Sequence, residues 1–79
     1  MARIRSFSEG AQSVSENRSE VDCFHQVIVS PSGERYLHLS TFGSDERQSK
    51  PKSSQSIQID EETASGLMDA LREAFPNLR

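Results

Sequence analysis

Two runs of alternating apolar and polar positions dominate the centre of the chain: Cys23-Phe24-His25-Gln26-Val27-Ile28-Val29 and Arg35-Tyr36-Leu37-His38-Leu39-Ser40-Thr41-Phe42. Ser30-Pro31-Ser32-Gly33-Glu34 joins them. Proline first, serine next and glycine third suit a type I turn closed by a left-handed residue, which predicts a three-residue hairpin with a bulge. That turn sets the register. Ser30 faces Glu34, and counting outward pairs Val29 with Arg35, Val27 with Leu37, His25 with Leu39 and Cys23 with Thr41 on one face. The other face pairs Ile28 with Tyr36, Gln26 with His38, Phe24 with Ser40 and Asp22 with Phe42, because side chains alternate across a strand. One face is mainly aliphatic. The other mixes rings with polar groups, which calls either for a partner that covers it or for something flat that stacks on it.

The flanking segments complete the order of elements. Residues 3–7, Arg-Ile-Arg-Ser-Phe, alternate and read as a short first strand, whereas residues 8–19 are polar around a single sizeable apolar side chain, Val14, and read as a flexible loop. A second polar stretch, residues 43–54, is broken by glycine and proline and reads as another flexible loop. Gln55-Ser56-Ile57-Gln58-Ile59 alternates again and predicts a fourth strand. Asp60 stands at an N-cap position, Glu61 and Glu62 set negative charge against the helix dipole, and Pro76 stops the run, so a helix is expected over 61–75. Ala64, Leu67, Met68, Leu71, Ala74 and Phe75 form one apolar stripe. Gly66 lies on or beside it, at a cost of about 1 kcal/mol relative to alanine, and a close approach of helix backbone to sheet would offset that cost. The expected fold is α+β: a four-stranded curved antiparallel sheet followed by one carboxy-terminal helix, in two layers, with the helix over Val27, Val29, Leu37, Leu39, Ile57 and Ile59.

Composition makes this core thin. The 79 residues form one domain, 33% of them hydrophobic, and a chain of this size buries only about 60% of its unfolded surface. Cys23 is the sole cysteine, so no intramolecular disulfide forms, and a reducing, cytoplasmic setting is expected. No apolar run is long enough to span a membrane, and the amino terminus lacks the apolar core of a signal peptide. With open sheet edges and little to bury, a homodimer is expected, its seam on the helix or the edge strands. The net charge of −3 argues against binding nucleic acid through bulk charge, so any such activity must come from local patches.

From about Phe24 to Phe75 the chain resembles, by pattern, the positive-cofactor-four (p15) family of transcriptional coactivators and its short bacterial relatives. The features that carry the resemblance are a strand, a tight turn, a strand ending in Thr41-Phe42, a basic loop with Lys50-Pro51-Lys52, and Ser56-Ile57-Gln58-Ile59-Asp60-Glu61-Glu62 leading into a helix. The chain has Ser54-Gln55-Ser56 where that family tends to carry a lysine-glycine pair, and it is acidic where the family is basic. The resemblance implies a homodimer whose curved sheets and basic loops grip single-stranded DNA.

The residues themselves point the same way. Arg35, Arg47, Lys50 and Lys52 stand against Asp45 and Glu46 in an otherwise acidic chain, and base stacking on rings needs no sequence code. Phe24, Tyr36 and Phe42, with His38 beside them, are therefore the expected stacking platform, and the four cations the expected contacts to phosphates of single-stranded DNA or RNA. Arg3 and Arg5 share a strand face and would extend the basic track. Cys23 and His25 are two apart on one face, but a structural zinc needs four ligands and His38 belongs to the other face, so no metal is expected. No cofactor is expected either. There is no nucleophile elbow, no histidine with an acid partner and no glycine-rich phosphate cradle, so the chain reads as a non-enzyme. The rival reading is a small acidic regulator or inhibitor, of a phage type for instance, that docks its sheet face or acidic helix on a larger protein.

Overall fold

The computed structural model describes residues 1–43 and 53–79. Its elements run β1 (Ala2–Arg3), β2 (Asp22–Val29), β3 (Arg35–Phe42), β4 (Ser53–Ile59) and α1 (Glu61–Ala74). They form an α+β fold with one open four-stranded sheet in the order β1-β4-β3-β2.

The hairpin takes the expected register at every pair, from Asp22 opposite Phe42 to Val29 opposite Arg35. Its turn explains why. Gly33 adopts φ of +90°, a conformation that suits glycine, and the turn closes with Gly33 N–H donating to the Ser30 carbonyl at 2.9 Å and Ser30 N–H to the Glu34 carbonyl at 2.8 Å. The Ser30 hydroxyl also accepts from Glu34 N–H at 3.1 Å, so a side chain locks the bulge from outside.

β4 pairs antiparallel with β3, with Leu37 opposite Ile59 and Leu39 opposite Ile57, and the ladder slips by one residue between Thr41, opposite Gln55, and Phe42, opposite Ser53. The first strand departs from expectation in length and direction. It is two residues long and runs parallel to β4, with Ala2 beside Ile57 and Arg3 beside Gln58, and Ile4 N–H extends the pairing to the Gln58 carbonyl at 2.9 Å. The sheet is therefore mixed. β1 and β2 stand at opposite edges of the sheet, so the stretch between them spans it; residues 8–20 within that stretch are exposed along their whole length.

The helix begins as its caps dictate. Asp60 has extended backbone angles and its Oδ1 accepts from Thr63 N–H at 2.8 Å, while Phe75 N–H closes the last turn on the Leu71 carbonyl at 2.9 Å. Its cover of the sheet is narrower than the apolar stripe predicts. Ile59 is 3% exposed, but Val27 and Val29 are each 56% exposed on the same face, and Leu71, in the middle of the stripe, is itself exposed. The close approach at Gly66 is also different. A Cβ there would meet Cδ2 of Phe7 at 3.3 Å, so the neighbour is the amino-terminal segment, not the sheet. Among the described residues no helix is long and apolar enough to cross a membrane.

Candidate nucleic-acid interface

The sheet has two faces of different chemistry. Reading across the paired strands, Arg3, Gln58, His38 and Gln26 make one polar row. Tyr36 and Ile28 flank it on one side, and Ser56, Ser40 and Phe24 on the other, with Phe42 beyond. Ser40, in the middle of the central strand, is buried, while Phe24 at the β2 edge is 58% exposed.

Phe24 and Phe42 pack edge to face, centroids 5.2 Å apart and planes at 69°, a geometry that the ring quadrupoles favour. The pair arises from the register: Phe24 lies opposite Ser40 and Phe42 opposite Asp22, so the rings meet on the diagonal. Beside them, His38 Nδ1 and Gln58 Nε2 are 3.1 Å apart, which fixes the imidazole by a cross-strand hydrogen bond.

Tyr36 is held from two sides. Its hydroxyl donates to Glu34 Oε2 at 2.7 Å and accepts from Arg3 Nη1 at 3.0 Å, and the guanidinium carbon lies 5.3 Å from the ring centroid. Donation to the Glu34 carboxylate, followed by partial desolvation, raises the phenol pKa above its ordinary value, with Arg3 opposing the shift. The phenol is therefore the protonated donor at neutral pH. Arg3 rests against this ring, so the open aromatic surface is the phenylalanine pair, with the guanidinium at the β1 end of the polar row.

Of the residues singled out from sequence, Phe24, Tyr36, His38 and Phe42 share this face. Arg35 does not. It lies opposite Val29, on the aliphatic face, because it is one residue before Tyr36 in a strand. Arg47, Lys50 and Lys52 lie outside the described residues. Gln26 and Gln58 complete the polar row without having been singled out; their alternation with Val27 and with Ile57 and Ile59 was the available signal.

An open groove of about 820 Å³ lies between the amino-terminal segment, the hairpin and the helix start, with Val27, Leu37 and Ile59 in its lining. Arg3, Arg5 and Arg35 line it together with Glu34, Asp60, Glu61 and Glu62, so cations and carboxylates offset one another there. Among the described residues no cluster of three or more histidine, cysteine, aspartate or glutamate side chains is arranged to hold a metal. Comparison with protein-family models, with curated proteins and with solved structures finds no match to this chain.

Proposed function

We propose that this protein binds single-stranded nucleic acid on the aromatic and polar face of its sheet. The observation that carries the reading is the half-exposed Phe24–Phe42 pair beside the His38–Gln58 row, with the Arg3 guanidinium at the far end. Rings offer every base a π-face, and stacking is worth about 1–3 kcal/mol per base. Donor and acceptor groups on Gln26, His38 and Gln58 can meet the edges of unpaired bases, which a duplex hides. Arg3, with Lys50 and Lys52, supplies phosphate contacts that the chain's acidic balance does not. A role in transcription or DNA metabolism, like that of the coactivator family the chain resembles, fits this chemistry.

Rings and charges then fail differently. Phe24→Ala is expected to weaken binding of a labelled single-stranded oligonucleotide by about tenfold, one stacked base's worth, with little change in salt dependence. Replacing Lys50 and Lys52 by alanine is expected to flatten the salt slope by about 0.7 per lost phosphate contact. Titrations at low and moderate salt read both, with duplex of the same sequence as the weaker-binding control. Unchanged binding in both variants, or no binding by the wild type at low salt, overturns the proposal and assigns the face to a protein partner.

A further inference from the structure

His38 stands in the middle of the polar row, on β3, with Gln58 opposite it on β4 and Gln26 opposite it on β2. Its ring is half-buried, and Nδ1 lies 3.1 Å from Gln58 Nε2. An amide nitrogen only donates, so in this arrangement Nδ1 accepts and the imidazole carries its proton on Nε2. The ring is then neutral, and Gln58 keeps its carbonyl oxygen as an acceptor for another group. Charge around the ring is sparse. On its own strand the same face carries Tyr36, from β2 it carries Asp22 at the far end beside Phe42, and from β1, beyond Gln58, it carries Arg3. Arg3 and Glu34 are both committed to the Tyr36 hydroxyl, at 3.0 and 2.7 Å. Neither Gln26 nor Gln58, the two residues that flank the ring across the sheet, brings a charge.

We propose that His38 and Gln58 form a proton switch for this face: a proton on His38 strengthens the binding of single-stranded nucleic acid, and binding in turn draws the proton onto the ring. The inference rests on the nucleic-acid reading of the face and adds its regulation. When Nδ1 takes up a proton from solvent, both ring nitrogens become donors, and the contact with Gln58 Nε2 sets donor against donor. Half a turn of the Gln58 amide relieves this. Oε1 then accepts from Nδ1–H, and the amino group takes the place that Oε1 held. One proton therefore makes two changes. It sets a positive charge in the middle of a row whose cation among the described residues, Arg3, stands at the β1 end against Tyr36, and it exchanges an acceptor for a donor at Gln58. Both changes favour phosphate oxygens, which accept hydrogen bonds and carry negative charge. Histidine is the side chain whose charge changes between about pH 5 and 8, and the coupling between proton and ligand is reciprocal. His25 offers the contrast within the same hairpin: it is exposed, opposite Leu39 on the aliphatic face, and takes no part in the row.

Titration of the full chain with a labelled thymidine homopolymer between about pH 6 and 8, the histidine range, tests this, because thymine does not itself titrate there. The wild type is expected to bind about fivefold more tightly at the acid end, with a salt slope steeper by about 0.7, one phosphate contact's worth. His38→Phe keeps a ring, and His38→Gln keeps a hydrogen-bonding partner for Gln58; both are expected to lose the gain, whereas His25→Phe retains it. The midpoint of the His38 ring titration, followed by nuclear magnetic resonance, is expected to rise when the oligonucleotide is added. Equal binding by the wild type at both ends of the range, a gain that survives in either His38 variant, or a gain lost in His25→Phe overturns the switch and leaves the nucleic-acid reading standing. Binding at neither end overturns both.

Discussion

Asp60 joins the buried end of β4 to the helix through one carboxylate, and its hydrogen bonds from Thr63 hold that carboxyl below the usual aspartate range. Because the folded pKa is depressed, the cap's ionic contribution is present above the ordinary aspartate value, about 3.9, and is lost as pH falls through the lower folded value. Asp60→Asn keeps an acceptor for Thr63 N–H but removes the charge; Asp60→Ala removes both. The wild type is therefore expected to melt above Asp60→Asn at pH 7, with the gap closing below about pH 4, while Asp60→Ala melts lowest at neutral pH. Thermal melts across that range check the order, and a gap independent of pH would contradict it. At this scale the sequence is most legible where a residue acts locally. The cap at Asp60, the left-handed glycine at Gly33 and the diagonal meeting of Phe24 with Phe42 all follow from short-range chemistry. The Arg3–Tyr36–Glu34 chain is not legible, because it depends on which strand β1 chooses as neighbour.

Elements differ in the same way. β2 and β3 are readable residue by residue because a three-residue turn leaves one register. β1 is not the antiparallel member of five residues that its pattern suggests: alternation announces a strand but carries no information about its partner or direction. The helix boundaries are plain, whereas its stance is not, since an apolar stripe says which side seeks cover and not what supplies it. Gly66 is the point at which stance and sequence meet. Alanine there gains about 1 kcal/mol of helix propensity, and its Cβ would press on Cδ2 of Phe7 at 3.3 Å. Phe7 is partly exposed and belongs to no regular element, so its ring can shift by the few tenths of an ångström required. Gly66→Ala is expected to raise the melting temperature by less than the full propensity gain, and Phe7→Ala in the same chain to restore the remainder relative to Phe7→Ala alone. A double-mutant cycle by thermal melting measures this coupling; independent effects would mean that Phe7 does not lie on the helix.

The whole molecule is wider than its length warrants. A compact chain of this size has a radius of gyration of about 12 Å, and this one has 15.0 Å. The exposed 8–20 segment belongs to that width, and the sheet presents two faces of different chemistry, one aliphatic and one aromatic and polar. Composition foretells the thin core, and alternation foretells the two chemistries, whereas the proposed division of labour between them rests on the exposure of each side chain. The most direct test of that division is chemical-shift mapping of the isotopically labelled protein titrated with a short single-stranded oligonucleotide at low salt. The account predicts perturbations centred on Phe24, Tyr36, His38 and Phe42, with Val27, Val29 and Met68 unmoved. Perturbations centred on the aliphatic face, or none at all, would contradict it.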